Sequence, residues 1–201
     1  MLWRMTGMDT TISIALGVGL AAATGFRVFL PLLVASIAAY TGHLHIGESF
    51  AWLGTPAAMV MLGVAAIVEV LAYYIPTVDN LLDTITTPLA LVAGTVVSAA
   101  VITDLPPLIK WSTAIIAGGG VAAVTQGVTT LIRAKSTAFT AGLGNPLLST
   151  FEMGASIIVA VLALLAPLVA LALVAAFCLV TVRLVRRFLG GGKQVHGSDA
   201  S

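Results

Sequence analysis

Three ionisable residues stand inside long apolar stretches: Arg27, Glu69 and Glu152. At the centre of a membrane helix each would cost roughly 2.5–3.5 kcal/mol on insertion scales, so such residues face the bundle interior and carry partners. Glu69 lies seven residues before Pro76, and Glu152 six residues after Pro146. At about 1.5 Å per residue both sit ~10 Å from the same membrane face. Two carboxylates at one depth in low dielectric must share a proton, hold a cation or pair with a base. Arg27 is the only base inside a span. The chemistry these types suggest is a proton or cation relay by Glu69 and Glu152, with Arg27 as counter-charge or anion-binding group. The structural alternative is an Arg–Glu bridge that locks the bundle.

Polar residues also gather near that face. In Tyr73-Tyr74-Ile75-Pro76-Thr77-Val78-Asp79-Asn80-Leu81-Leu82-Asp83-Thr84, Asp79 and Asp83 are one helical turn apart, with Asn80 and Thr84 as a second row. They could draw cations into a vestibule; the simpler reading makes Asp79 a helix cap and leaves Asp83 solvated. Asn145 before Pro146 marks a helix start that could point at an anionic group. Gly118-Gly119-Gly120 serves close packing or breaks its helix. His43, His45 and Glu48 match metal-ligand spacing only loosely and read as an interfacial loop with Trp52 as its anchor. There is no Ser/His/Asp or Cys/His set and no phosphate loop. An enzyme is not expected, nor a cofactor.

The elements that position these residues follow from composition. Of 201 residues, 59% are hydrophobic and 8% charged, and the mean hydropathy is +1.11. Seventeen charged side chains cannot coat a soluble body of this size, and disorder requires low hydrophobicity. A net charge of +1 offers nothing to nucleic acid. The lone Cys178 makes no disulfide. The apolar runs are continuous rather than alternating, so an all-α, polytopic membrane helix bundle is expected. Six spans are predicted: Thr11 to Tyr40 (long enough to tilt or break), Pro56 to Ile75, Thr86 to Thr103, Trp111 to Arg133, Pro146 to about Leu165, and about Pro167 to Phe188. The last two should form a hairpin at Pro167. Residues 1–10 then make an N-terminal segment, 11–188 the transmembrane domain, and 189–201 a flexible tail.

Six spans put Arg4, Arg133, Lys135, Arg183, Arg186, Arg187 and Lys193 on one side and Lys110 on the other. That asymmetry predicts cytoplasmic termini in an inner membrane. Gly17, Gly19, Ala21, Ala22 and Thr24 match Gly118, Gly120, Ala122, Ala123 and Thr125 at a constant offset of 101. The match suggests inverted three-helix repeats (11–103 and 111–188), or equally two unrelated small-residue stripes.

Three passages, ALGVGLAAATGFRVFLPLL (15–33), GHLHIGESFAWLG with VEVLAYYIPTVDNLLDTITTP (42–54 and 68–88), and KSTAFTAGLGNPLLSTFE (135–152), resemble a bacterial membrane family, domain of unknown function 4126. The resemblance spans about residues 11 to 170 and implies a small helical integral membrane protein, without an activity. The expected function is therefore a small transporter or channel for an ion or small solute, working within the lipid bilayer, with a homodimer compatible with so thin a wall. The alternative is a scaffold or assembly protein that binds lipid or a partner subunit.

Overall fold

The computed structural model describes residues 10–190, with the side chains of residues 76, 77, 79, 80 and 188–190 outside the description. Arg4, Lys193 and most of the N-terminal and tail segments expected at 1–10 and 189–201 thus fall outside it; of those segments, Thr10 belongs to α1 and residues 189 and 190 to α8. The described residues are helical throughout, without a strand: α1 (Thr10–Thr24), α2 (Phe29–Tyr40), a 3-10 turn (Glu48–Gly54), α3 (Pro56–Ala72), α4 (Pro76–Val101), α5 (Pro107–Thr113), a π-helical turn (Ala114–Gly119), α6 (Gly120–Thr140), α7 (Asn145–Leu165) and α8 (Pro167–Gly190). Prolines open α3, α4, α5 and α8, where the missing N–H is no loss.

Four helical stretches are long and apolar enough to cross a membrane: Leu81–Val101, Pro107–Thr140, Asn145–Leu165 and Pro167–Arg187. The 3-10 turn and α3, bent by 65°, make a fifth if taken as one span. The exterior is apolar: Val60, Val64, Ile67, Val68 and Leu71 line one exposed face of α3, and Leu168, Val169, Leu173 and Val180 are exposed on α8. Large exposed apolar surface suits lipid rather than water.

The expected first span is the main departure. Thr11 to Tyr40 is not one helix but two, of 15 and 12 residues. Each is about 18–22 Å long, short of a ~30 Å hydrocarbon layer. Their directions follow from their neighbours. In α1, Gly17 abuts Ser98 and Val101 of α4 while Thr24 reaches Gly94, so the two helices are antiparallel. In α2, Val28 meets Glu69, Leu33 meets Gly63 and Ala39 meets Gly54, so α2 runs antiparallel to α3. The 3-10 turn that precedes α3 sits beside the C-terminus of α4, with the Gly47 N–H bonded to the Ala100 carbonyl at 2.8 Å. The start of α1 and the end of α2 therefore lie at the same end of the bundle. The two helices form a hairpin that enters the bundle and returns, its tip at Gly25–Val28.

Other boundaries shift for local reasons. The segment expected as a 76–85 loop is the start of α4, which begins at Pro76. Its N-cap is Ile75, so Asp79 is no cap. The expected 134–145 loop is helical through Thr140 and turns only at Ala141–Gly144, with Ala141 (φ 52°) and Gly142 (φ 87°) left-handed. The triple glycine both packs and distorts: Gly118 and Gly119 lie in the π-helical turn and leave no room for a Cβ beside Ser98 and Thr95. The hairpin at Pro167 is present. Ala163 and Ala170 both crowd the position a Gly19 Cβ would take. In a continuous helix those alanines would be about 10 Å apart.

The core is built from small residues, Ala21, Ala23, Ala35, Ala90, Ala93, Ala99, Ala100, Ala160 and Ala163, around Leu16, Leu20, Leu32 and Val97. Gly17 and Gly118, paired by the 101-residue offset, both press on Ser98. The first segment is nevertheless a returning hairpin, whereas the second runs on through α6, so the two halves do not match as three-helix units.

Candidate functional site

The hairpin tip carries Arg27 into a buried polar cluster among α3, α4, α6 and α7. After α1 the chain turns through bonds from the Gly25 N–H to the Ala22 carbonyl and from the Phe26 and Arg27 N–H groups to the Ala23 carbonyl. Gly25 is obligatory there, since a Cβ would come within 2.4 Å of the Thr125 Cβ and 2.6 Å of the Ala122 carbonyl oxygen. Ser156 of α7 donates to the Ala23 carbonyl at 3.1 Å and ties the tip to that helix.

Glu69 closes the other side of the break. Its Oε1 accepts the Val28 N–H at 2.7 Å and its Oε2 the Phe29 N–H at 3.1 Å. These are the unpaired donors that open α2, where the helix dipole also favours a carboxylate. Glu69 thus caps α2 from a different helix.

Arg27 is 1% exposed. Its Nη2 donates to the Ser149 carbonyl at 3.0 Å and lies 3.6 Å from Glu152 Oε2. Glu152 is held by Arg133, which donates to it from both Nε (3.1 Å) and Nη2. The guanidinium carbons of Arg27 and Arg133 each lie 4.0 Å from the centre of the Tyr73 ring. The Tyr73 hydroxyl donates to Asp83 Oδ1 at 3.1 Å and sits 3.0 Å from the Thr86 hydroxyl, which accepts from Gln126 Nε2. The cluster holds two guanidiniums, three carboxylates and one phenol, all buried.

The structure therefore gathers Arg27, Glu69, Asp83 and Glu152, but not as a carboxylate pair. Glu69 and Glu152 each have their own donors, and Arg27 stands between them. Asp83, expected in a solvated vestibule, is 7% exposed and bonded to Tyr73. Asn145 is buried at the start of α7 and donates from Nδ2 to the Thr137 hydroxyl at 3.0 Å, which joins α7 to α6. Asp79 and Asn80 are in the first turns of α4, and their side chains fall outside the described residues. His43 bonds Thr41 at 3.0 Å in an exposed loop, and among the described residues no three His, Cys, Asp or Glu side chains are placed to hold one metal ion.

Arg133 and Tyr73 were not among the expected site residues. Arg133 read as the cytoplasmic flank of a span, yet it is 2% exposed because α6 runs two turns further than expected. A signal was available: Gln126, Thr129, Arg133 and Thr137 form a polar stripe at helical spacing on α6, and Asn145, Ser149, Glu152 and Ser156 another on α7.

The sequence matches the family described as Domain of unknown function (DUF4126) over residues 14–187. The chain belongs to that family. The match takes in every residue of the cluster, from Arg27 at the tip to Glu152 on α7. No curated protein and no solved structure matches the DUF4126 chain.

Proposed function

We propose that this DUF4126 protein is a small transporter of an ion or small solute, in which the α1–α2 hairpin dips into the membrane and places its tip on the pathway. One observation carries this reading: the helix break at Gly25–Val28 brings non-helical backbone and Arg27 into the bundle interior beside four other charged side chains. Irregular backbone at membrane depth is tolerated where it is buried in protein or lines a water-filled cavity. Broken helices whose ends meet near the midplane are a recurring way to build transport sites. In this reading α3 with its 3-10 turn, α4, α5–α6, α7 and α8 make five crossings, instead of six. The start of α1 and the end of α8 then emerge on opposite faces. The face with Lys135, Arg183, Arg186 and Arg187 is cytoplasmic in an inner membrane, by the positive-inside bias.

The test is solute flux. Purified protein in liposomes is challenged with osmotic steps of potassium chloride, potassium nitrate, urea and glycerol, without and with valinomycin plus a protonophore to let potassium and protons balance anion entry, and vesicle volume is followed by stopped-flow light scattering. Faster equilibration than in protein-free vesicles for at least one solute is expected. Equal rates for all four would overturn the reading.

A second reading, a membrane scaffold or assembly protein, draws on the saturation of both glutamates. Glu69 caps α2 and Glu152 holds Arg133, as structural bridges do. If Glu69→Gln and Glu152→Gln variants are both lost to aggregation and no solute moves, this second reading replaces the first.

A further inference from the structure

Arg27 carries more donors than the protein satisfies. A guanidinium has five N–H groups. Nη2 serves the Ser149 carbonyl, but Nε and Nη1 are enclosed without a hydrogen-bond partner. Leaving a buried cationic donor unpaired is unfavourable, and native structures keep such groups where a water or ion completes them. Tyr73 offers a ring face to the guanidinium, which attracts the cation without accepting its in-plane N–H groups.

We propose that Arg27 anchors a site for a small monovalent anion at the hairpin tip, and that the anion moves together with one proton held by Glu152. The charge count leads to both parts. Two guanidiniums, Arg27 from the tip and Arg133 from α6, face three carboxylates: Glu69 from α3, Asp83 from α4 and Glu152 from α7. Tyr73, after α3, adds a neutral phenol. All three carboxylates have donors: Glu69 accepts the Val28 and Phe29 N–H groups, Asp83 the Tyr73 hydroxyl, and Glu152 the Nε and Nη2 of Arg133. With every carboxylate ionised the cluster already carries one excess negative charge. An added anion is tolerated when one carboxylate takes a proton. Glu152 is the carboxylate shared by both guanidiniums, bonded to Arg133 and 3.6 Å from Arg27 Nη2, so a proton on it removes the counter-charge of both and the anion arriving with that proton takes its place. One proton offsets one negative charge, hence a monovalent anion. The enclosure of Nε and Nη1 keeps it small, in the range of chloride or nitrate. The only bond made and broken is the O–H of Glu152; anion and proton enter and leave together.

The site stands apart from the transport reading, whereas the coupling rests on it, so the test has two arms. In detergent at constant ionic strength, replacing gluconate with chloride or nitrate should raise Tm saturably, by about 3 °C at tenfold Kd. Arg27→Lys, eluting as a single species, should lose the rise and Glu152→Gln should keep it. The wild-type titration decides the site even if the variants do not fold. In liposomes loaded with a pH-reporting dye and clamped with potassium and valinomycin, an inward chloride or nitrate gradient should acidify the lumen, and Glu152→Gln should abolish this. No Tm rise with either anion, or an equal rise in Arg27→Lys, overturns the site and leaves water as its occupant. A rise without acidification keeps the site and overturns the coupling. Movement of urea or glycerol without any anion-dependent rise overturns the site while the transport reading stands.

Discussion

Glu69 is the residue whose removal should uncouple the hairpin tip from the rest of the bundle. Its carboxylate accepts two backbone N–H groups at the start of α2, at 2.7 and 3.1 Å, and is 4% exposed. Glu69→Gln keeps one acceptor oxygen and the side-chain volume but removes the charge and turns the second oxygen into a donor facing a donor. A hydrogen bond to a charged group contributes about 1.5–3 kcal/mol, and a favourable helix-dipole contact adds about 0.3–1 kcal/mol. Loss of one such bond and of the dipole term comes to about 2–4 kcal/mol, or about 30–700-fold in the opening equilibrium of the tip at 1.4 kcal/mol per decade. Amide hydrogen exchange of the detergent-solubilised protein reads this directly. Protection of the amides of residues 28–30 should fall by that factor in Glu69→Gln, while amides of α6 and α7 hold theirs. Unchanged protection at residues 28–30 would mean that the tip is fixed by its contacts with Thr125, Ser149 and Ser156, and that the cap contributes nothing to it.

Four other outcomes are expected. Arg133→Leu leaves Glu152 buried with its loose Arg27 contact alone, and should lower stability by about 3–5 kcal/mol, measured by thermal unfolding; the double variant Arg133→Leu with Glu152→Leu should recover most of that loss. Gly25→Ala drives a methyl into Thr125 and the Ala122 carbonyl, and should cost about 1–3 kcal/mol on the same assay. Tyr73→Phe keeps the ring beside both guanidiniums and removes only the hydroxyl, so it should cost about 1–3 kcal/mol, less than Tyr73→Leu, which also loses the ring. On a Cys178→Ser background, single cysteines added at the two chain ends should react with a membrane-impermeant maleimide from opposite sides of sealed vesicles; labelling of both from one side would rule out five crossings.

Much of this architecture was legible in the sequence, and the reasons differ between elements. The starts of α3, α7 and α8 were predicted to within a residue because a proline or an Asn-Pro step marks each one. The buried charges Arg27, Glu69 and Glu152 stood out because apolar surroundings make them expensive, and all three meet in one cluster. Their pairing was not legible. Depth along two helices fixes height but not facing, so Glu69 and Glu152 read as partners when each had a different one.

The hairpin was hidden for a physical reason. Residues 11 to 40 contain a single charge in an otherwise apolar run, and hydropathy measures length in residues, not direction. A segment that enters and returns has the same composition as one that crosses. What distinguishes them is the demand at the turn: free N–H groups at the start of α2 need an acceptor, and in an apolar interior that acceptor must come from another helix. Glu69 supplies it, 41 residues away in sequence. Gly25 then lets the tip approach α6, and Arg27 balances the carboxylates gathered there. The motif to read is therefore not a paired acid at equal depth. It is a glycine and a base inside an apolar run, with a glutamate near the end of the next long helix, and in this chain the three residues answer one structural need.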